Sequence, residues 1–134
     1  MIKLLIGEPG MGKTKEMIAD ANAEIATAKG SIIFVAESNE SVLEVHHDIR
    51  FINISEFPIA SSNSFIAFLH GLMVSNHDIE SIYLDGISNV FIMTPDEICK
   101  WLDAIKKISN KLNTKFEISI SVPGKTPECF KPYM

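Results

Sequence analysis

The sequence predicts an α/β fold of one domain, residues 1–134, in which a five-stranded, mainly parallel sheet carries helices on both faces. Three observations lead there. Five short apolar runs, at 2–6, 31–36, 49–54, 79–84 and 116–122, have the length and the β-branched content of strands. Segments with apolar residues at helical spacing lie between them, and strands alternating with helices close into a parallel sheet through right-handed crossovers. The 134 residues, 46% of them hydrophobic, can bury one core and are too few for two ordinary domains.

Taken in order, residues 2–6 form the first strand, and Met17, Ile18, Ala21, Ile25 and Ala28 recur with the period of a helix that ends at Gly30. The run SIIFVA, 31–36, is continuous and apolar, the pattern of a strand buried on both faces. Residues 41–47 suit a short helix, and IRFINI, 49–54, alternates as a third strand. Pro58 and the serines at 61, 62 and 64 mark a loop before the segment 65–74, which is apolar nearly all round. That helix is either sandwiched in the core or partly covered by another subunit.

The fourth strand, 79–84, runs into Asp85, and residues 86–93 form a loop. Thr94, Pro95 and Glu97 then make a capping box with proline at the first helical position. Ile98, Trp101, Leu102, Ile105, Ile108 and Leu112 give that helix one apolar face, so Trp101 reads as core and not as a stacking platform for a base. FEISISV, 116–122, is the fifth strand, closed by Pro123 and Gly124, and 126–134 form a tail or a single turn.

Between the first strand and the first helix stands GEPGMGKT, which fits G-x-x-x-x-G-K-[ST] at every fixed position. With ordinary residue frequencies, a chance match in a chain this long is on the order of half a per cent. The setting suits the chemistry, because backbone N–H groups at a helix start point at phosphates. Gly7, Glu8, Pro9, Gly10, Met11, Gly12, Lys13 and Thr14 are therefore the candidate phosphate-binding residues. The glycines allow close backbone approach, Lys13 reaches the β/γ-phosphates, and the Thr14 hydroxyl holds Mg2+. Ligands of parallel sheets bind at the carboxyl ends of strands. This adds Glu37, Ser55, Asp85 and Ser121 to the residues of interest, with Asp85 placed as the second Mg2+ ligand.

Composition excludes some partners. A net charge of −5 argues against a nucleic-acid footprint spread over the surface, and Lys106, Lys107 and Lys111 alternate with Asp103 and apolar residues as a solvated helix face does. The longest apolar segment, 65–74, is far below the ~20 residues of a membrane span. No signal peptide is visible, so a cytoplasmic protein is expected. Cys99 and Cys129 lack metal-ligand spacing and are expected to be reduced thiols. Adjacent His46 and His47 should point in different directions and share no metal. In the loop 86–93, Ile87, Val90, Phe91 and Ile92 either fold under the next helix or form a contact for a nucleobase or a partner. That loop (87–93) and helix 65–74 are the two candidate surfaces for a homo-oligomer or a protein partner.

With the loop and Asp85 in place, the chain resembles the P-loop NTPases, particularly the additional-strand branch that contains the AAA+ and RecA-like ATPases. LLIGEPGMGKT is very similar to the AAA+ version of the loop. In AAA+ proteins a glutamate follows the metal aspartate, whereas this chain has Gly86, lacks room for a helical lid, and has Arg50 as its only arginine. RecA-like proteins instead place the catalytic glutamate at the end of the strand after the first helix, where Glu37 stands. That resemblance implies a three-layer domain with strand order 3-2-4-5-1. It makes Glu37 the residue that orients or deprotonates water, Lys13 and Mg2+ the groups that neutralise phosphate charge, and Ser121 a sensor of the γ-phosphate. The chain is also similar throughout to short stand-alone bacterial proteins described as ATP-binding. The expected activity is Mg-ATP binding with slow or partner-stimulated hydrolysis. The alternatives are a non-hydrolysing nucleotide-dependent switch or assembly subunit and, third, a small-molecule kinase. Preference for ATP over GTP is not encoded in a loop that contacts their shared phosphates.

Overall fold

The computed structural model describes residues 1–134 except Pro9, Met11 and Pro123. Its five strands are β1 (Ile2–Gly7), β2 (Ser31–Ala36), β3 (Arg50–Asn53), β4 (Ile79–Asp85) and β5 (Lys115–Ser121). All neighbouring pairs are parallel, in the order β3-β2-β4-β5-β1. The carboxyl ends of β1, β2, β4 and β5 therefore share one edge of the sheet, with Gly7 beside Ser121 and Ala36 beside Asp85.

The helices are α1 (Lys13–Glu24), α2 (Ser62–Ser75), α3 (Ile87–Val90) and α4 (Pro95–Leu112). Two core clusters form, one on each face of the sheet. Met17, Ile18 and Ala21 of α1 pack on Leu5, Ile32, Phe34 and Tyr83. Phe65, Leu69 and Met73 of α2, with Ile98, Trp101, Leu102 and Ile105 of α4, pack on Ile33, Val35, Ile82, Leu84, Ile118 and Ile120. Odd and even residues of β2 divide between the two clusters, as the two-residue period of a strand requires. Trp101 is core, and the Thr94–Glu97 capping box forms with both of its hydrogen bonds.

Several expectations are corrected. The first helix stops at Glu24 because its end tightens into i+3 bonds, Ala26 N to Ala23 O and Thr27 N to Glu24 O. Residues 41–47 are turns: Asn22 on α1 donates to Glu44 O and accepts from His46 N, and these side-chain bonds take backbone groups a helix would use. His46 and His47 come together, their rings stacked with centroids 4.4 Å apart. The serines at 61–64 begin α2, with Ser61 Oγ accepting from Ser64 N as its cap.

Within 86–93, Ile87 and Phe91 enter the core while Val90 and Ile92 remain exposed. The tail folds back as a 3-10 helix, Glu128–Tyr133, which buries Phe130 completely. That return brings Cys129 within 6.0 Å (Cα to Cα) of Cys99 on α4, and the two form a disulfide, not the reduced thiols expected. Among the described residues, no helix is long and apolar enough to cross a membrane.

Candidate functional site

On β4 and β5 the α1-facing positions carry polar groups. On β4 these are Ser81, Tyr83 and Asp85; on β5, Lys115 stands opposite Ser81, Glu117 stands opposite Tyr83, and Ser119 bonds Asp85. The carboxyl-end half of this stripe meets the loop before α1. Gly10 and Gly12 have φ of 84° and 79°, a left-handed conformation that strains any residue with a Cβ, and Gly12 is also the N-cap of α1. Lys13 folds back over the loop, donating to Glu8 O at 2.8 Å and Gly7 O at 3.3 Å. Pro9 and Met11 lie outside the described residues.

Thr14 Oγ1 donates to Asp85 Oδ1 at 3.2 Å, a contact between residues 71 apart in the chain. The same oxygen accepts from Ser119 Oγ at 2.9 Å, and Ser119 Oγ in turn accepts from Gly86 N at 3.0 Å. Asp85 is thereby held from two sides and is 9% exposed. A hydroxyl and a fixed carboxylate, both hard oxygen donors, suit Mg2+.

Glu37 follows the last residue of β2 and stands beside Gly86. A Cβ built on Gly86 would lie 3.3 Å from Glu37 Oε1, and Gly86 has φ of 72°. The absence of a side chain at 86 thus makes room for the carboxylate of Glu37. Burial is the first cause that raises the Glu37 pKa above the ordinary carboxylate value; the negative charges of Asp85 and Glu40 add to it.

These groups line one cleft of about 570 Å³, together with Lys15, Ser41, Asn89 and Ser121. Ser55 is not among its lining residues; its hydroxyl and N–H both bond Asn53 Oδ1 within a turn after β3. Arg50 begins β3 and so sits at the amino end of its strand, away from the cleft.

The sequence reading missed Ser119 and Asn89. Ser119 could have been found, since FEISISV alternates polar and apolar residues and Ser119 stands two residues before Ser121 on the same face of the strand. The reading also missed a half-buried group at the amino half of the stripe. Glu24 of α1 accepts from Ser81 Oγ and Tyr83 Oη, both at 2.5 Å, and pairs with Lys115 at 3.6 Å.

Asp48 lies within reach of both stacked histidines. In this turn His46 Nδ1 accepts from Asp48 N at 3.0 Å, so a cation at that nitrogen would have to displace a backbone hydrogen bond. No metal site is assigned there.

No model of a known protein family matches the chain, and no curated protein matches it.

Proposed function

We propose that this protein binds a magnesium-bound nucleoside triphosphate, ATP in the leading reading, and hydrolyses it slowly or under stimulation by a partner. The observation that carries the proposal is the contact between Thr14 Oγ1 and Asp85 Oδ1. It places the last residue of a complete phosphate-loop motif against a carboxylate held at the end of a different strand. The arrangement is that of a three-layer P-loop NTPase of the additional-strand, RecA-like kind. The sheet order supports this reading, since polar β5 separates the loop strand from the aspartate strand.

Each residue then has a task. Backbone N–H groups of the loop and the start of α1 cradle phosphate oxygens. Lys13 exchanges the carbonyls of Gly7 and Glu8 for the β/γ-phosphates, a charge-assisted contact stronger than the ones it leaves. Thr14 and Asp85 hold Mg2+, which would neutralise charge on the β- and γ-oxygens. Ser119 fixes the Asp85 carboxylate, and Ser121 stands where the γ-phosphate can be sensed. Glu37 orients or deprotonates the attacking water, and its raised pKa brings it nearer the working range of a general base.

A second reading is a nucleotide-dependent switch or assembly subunit that turns over poorly. It is favoured by the position of Arg50, the chain's only arginine, at the far end of β3 from the cleft, so charge developing in transfer meets no arginine of this chain. A stimulating partner would meet exposed Val90 and Ile92, or Val74 on α2.

Calorimetric titration with ATP, GTP and ADP, with and without Mg2+, tests the binding. Mg-ATP should bind, and Lys13→Ala should lose at least tenfold in affinity, about 1.4 kcal/mol. Equal binding by wild type and variant would sink both readings. Glu37→Gln should retain binding and lower phosphate release by ~100-fold or more. Unchanged release would remove Glu37 from the chemistry, and tight binding without release by the wild type would select the switch.

A further inference from the structure

A second cleft, of about 390 Å³, opens beside the first. Its walls are apolar, from Met93, Ile98 and Val122 with Pro127, and it meets the phosphate cleft at Asn89 and Ser121, which line both. A mostly apolar cavity of this size with a few polar groups is the usual form of a small-molecule site.

Its position relative to the triphosphate decides what it would hold. Lys13 and Thr14 of a phosphate loop serve the β/γ end of the nucleotide. Asp85 touches Thr14, Ser119 bonds Asp85, and Ser121 lies two residues further along β5. Asn89 follows Asp85 by four residues, on α3. The shared mouth is therefore at the γ-phosphate end, and the nucleobase leaves the loop from the other end. The mouth offers neutral hydrogen-bonding groups, and among the described residues the cavity's only charged lining residue is Lys125. A phosphorylated acceptor is ordinarily gripped by several cationic groups.

Resting on the nucleotide reading above, we propose that this cleft binds an unphosphorylated, largely apolar alcohol whose hydroxyl meets the γ-phosphate at Asn89 and Ser121 and accepts it. The alcohol oxygen attacks the γ-phosphorus and forms the new P–O bond. The bond from the γ-phosphorus to the β,γ-bridging oxygen breaks, and its electron pair stays with ADP. The hydroxyl proton passes to the Glu37 carboxylate and from there to water. The products are ADP and a phosphate monoester. The scarcity of arginine, which counts against a kinase of phosphorylated substrates, is no obstacle for an acceptor held by apolar contact.

The test uses benzyl alcohol and hexan-1-ol as probes and the methyl NMR signals of Met93, Ile98 and Val122 as reporters. With protein saturated by a Mg2+ complex of a non-hydrolysable ATP analogue, each alcohol should shift these signals saturably. The shifts should persist when Mg-tripolyphosphate replaces the analogue and vanish in Val122→Trp, which fills the cleft; should that variant not fold, the wild-type titration decides. With Mg-ATP, saturating alcohol should raise ADP formation at least tenfold, with a phosphate monoester appearing in the 31P spectrum in place of free phosphate. Silent methyls in nucleotide-bound protein overturn this proposal alone. So do shifts that the ATP analogue abolishes and tripolyphosphate does not, which would give the cleft to the base, and so does ADP formation unaffected by either alcohol. Failure of the analogue itself to bind overturns the nucleotide reading and this one together.

Discussion

Glu117 should make this fold lose stability as pH rises from 5 to 9, and Glu117→Gln should remove that loss. The residue sits mid-strand on β5, 8% exposed, with Oε2 buried and without a hydrogen-bond partner among the described residues. Burial is the first cause that pushes its carboxyl pKa up, to about 8 from an ordinary 4.5; Asp20 raises it further through a hydrogen bond and its charge, and Glu16 through its charge. The Lys3 ammonium, 3.7 Å away, opposes the shift without cancelling it. Because the folded state holds this proton more tightly than the unfolded one, the stability is fully present below pH 4.5 and is lost as pH climbs through about 8. At ~1.4 kcal/mol for each tenfold change in proton affinity, the loss across this window is on the order of 4 kcal/mol. The attraction of Lys3 is already contained in that shift; the Lys3 pKa is itself raised, first by the Glu117 charge, and its contribution is lost only above the ordinary lysine range.

Urea denaturation midpoints at pH 5, 7 and 9 for wild type and Glu117→Gln measure the effect. Glutamine keeps the shape and carries no titrating proton, so the variant's curve should be flatter over this range by most of that amount. Parallel curves would show that Glu117 ionises in the folded protein as it does in the unfolded chain. The groups beside it act outside this window. Glu24, whose pKa is lowered by bonds from Ser81 and Tyr83 and by Lys115 against the opposing effect of burial, contributes stability that is lost only as pH falls below the ordinary carboxylate value. Tyr83, raised by burial and by Glu24, contributes stability that is lost above the ordinary tyrosine range.

Reduction of the Cys99–Cys129 disulfide, which links positions 30 residues apart, should cost about 3–4 kcal/mol by the chain-entropy relation. Thermal melts with and without reductant should differ by roughly 10–15 °C, with Cys129→Ser insensitive to reductant; coincident melts would refute the crosslink's role. Gly86→Ala should destabilise by roughly 1–2 kcal/mol, since alanine is strained at φ 72° and its Cβ would crowd Glu37. In a Glu37→Ala background the crowding is relieved and the backbone strain stays, so a double-mutant cycle should give a non-zero coupling. Additive effects would mean that the two positions do not press on each other.

How much of this was legible depends on the range over which each feature is determined. The capping box at Thr94 and the period of α4 are set by residues three and four apart, and both stand in the structure as written in the chain. The five strands were legible from their apolar content, because a strand covered on both faces needs little beyond β-branched side chains. Residues 41–47 misled because two of their backbone groups, Glu44 O and His46 N, are taken by Asn22, a partner some twenty residues away that no local pattern names. The disulfide was hidden for a related reason. Nothing near Cys129 says that the tail turns back; that follows from Phe130 finding the space beside β1 and α4.

At the cleft, the loop's residue types were readable, since phosphate chemistry restricts them at fixed spacing, whereas what surrounds the loop depends on strand register. Gly86 shows the difference. In the sequence it is only a missing glutamate beside Asp85. In the structure β2 runs next to β4, with Ala36 opposite Asp85, so the residues that follow each strand, Glu37 and Gly86, compete for one space. A Cβ at 86 would lie 3.2 Å from the Glu37 carboxyl carbon, and that carboxylate, the end of a flexible side chain, would have to give way by a few tenths of an ångström. The two positions therefore have to be read as a pair, and a side chain placed at 86 would shift the carboxylate of Glu37 from its present position.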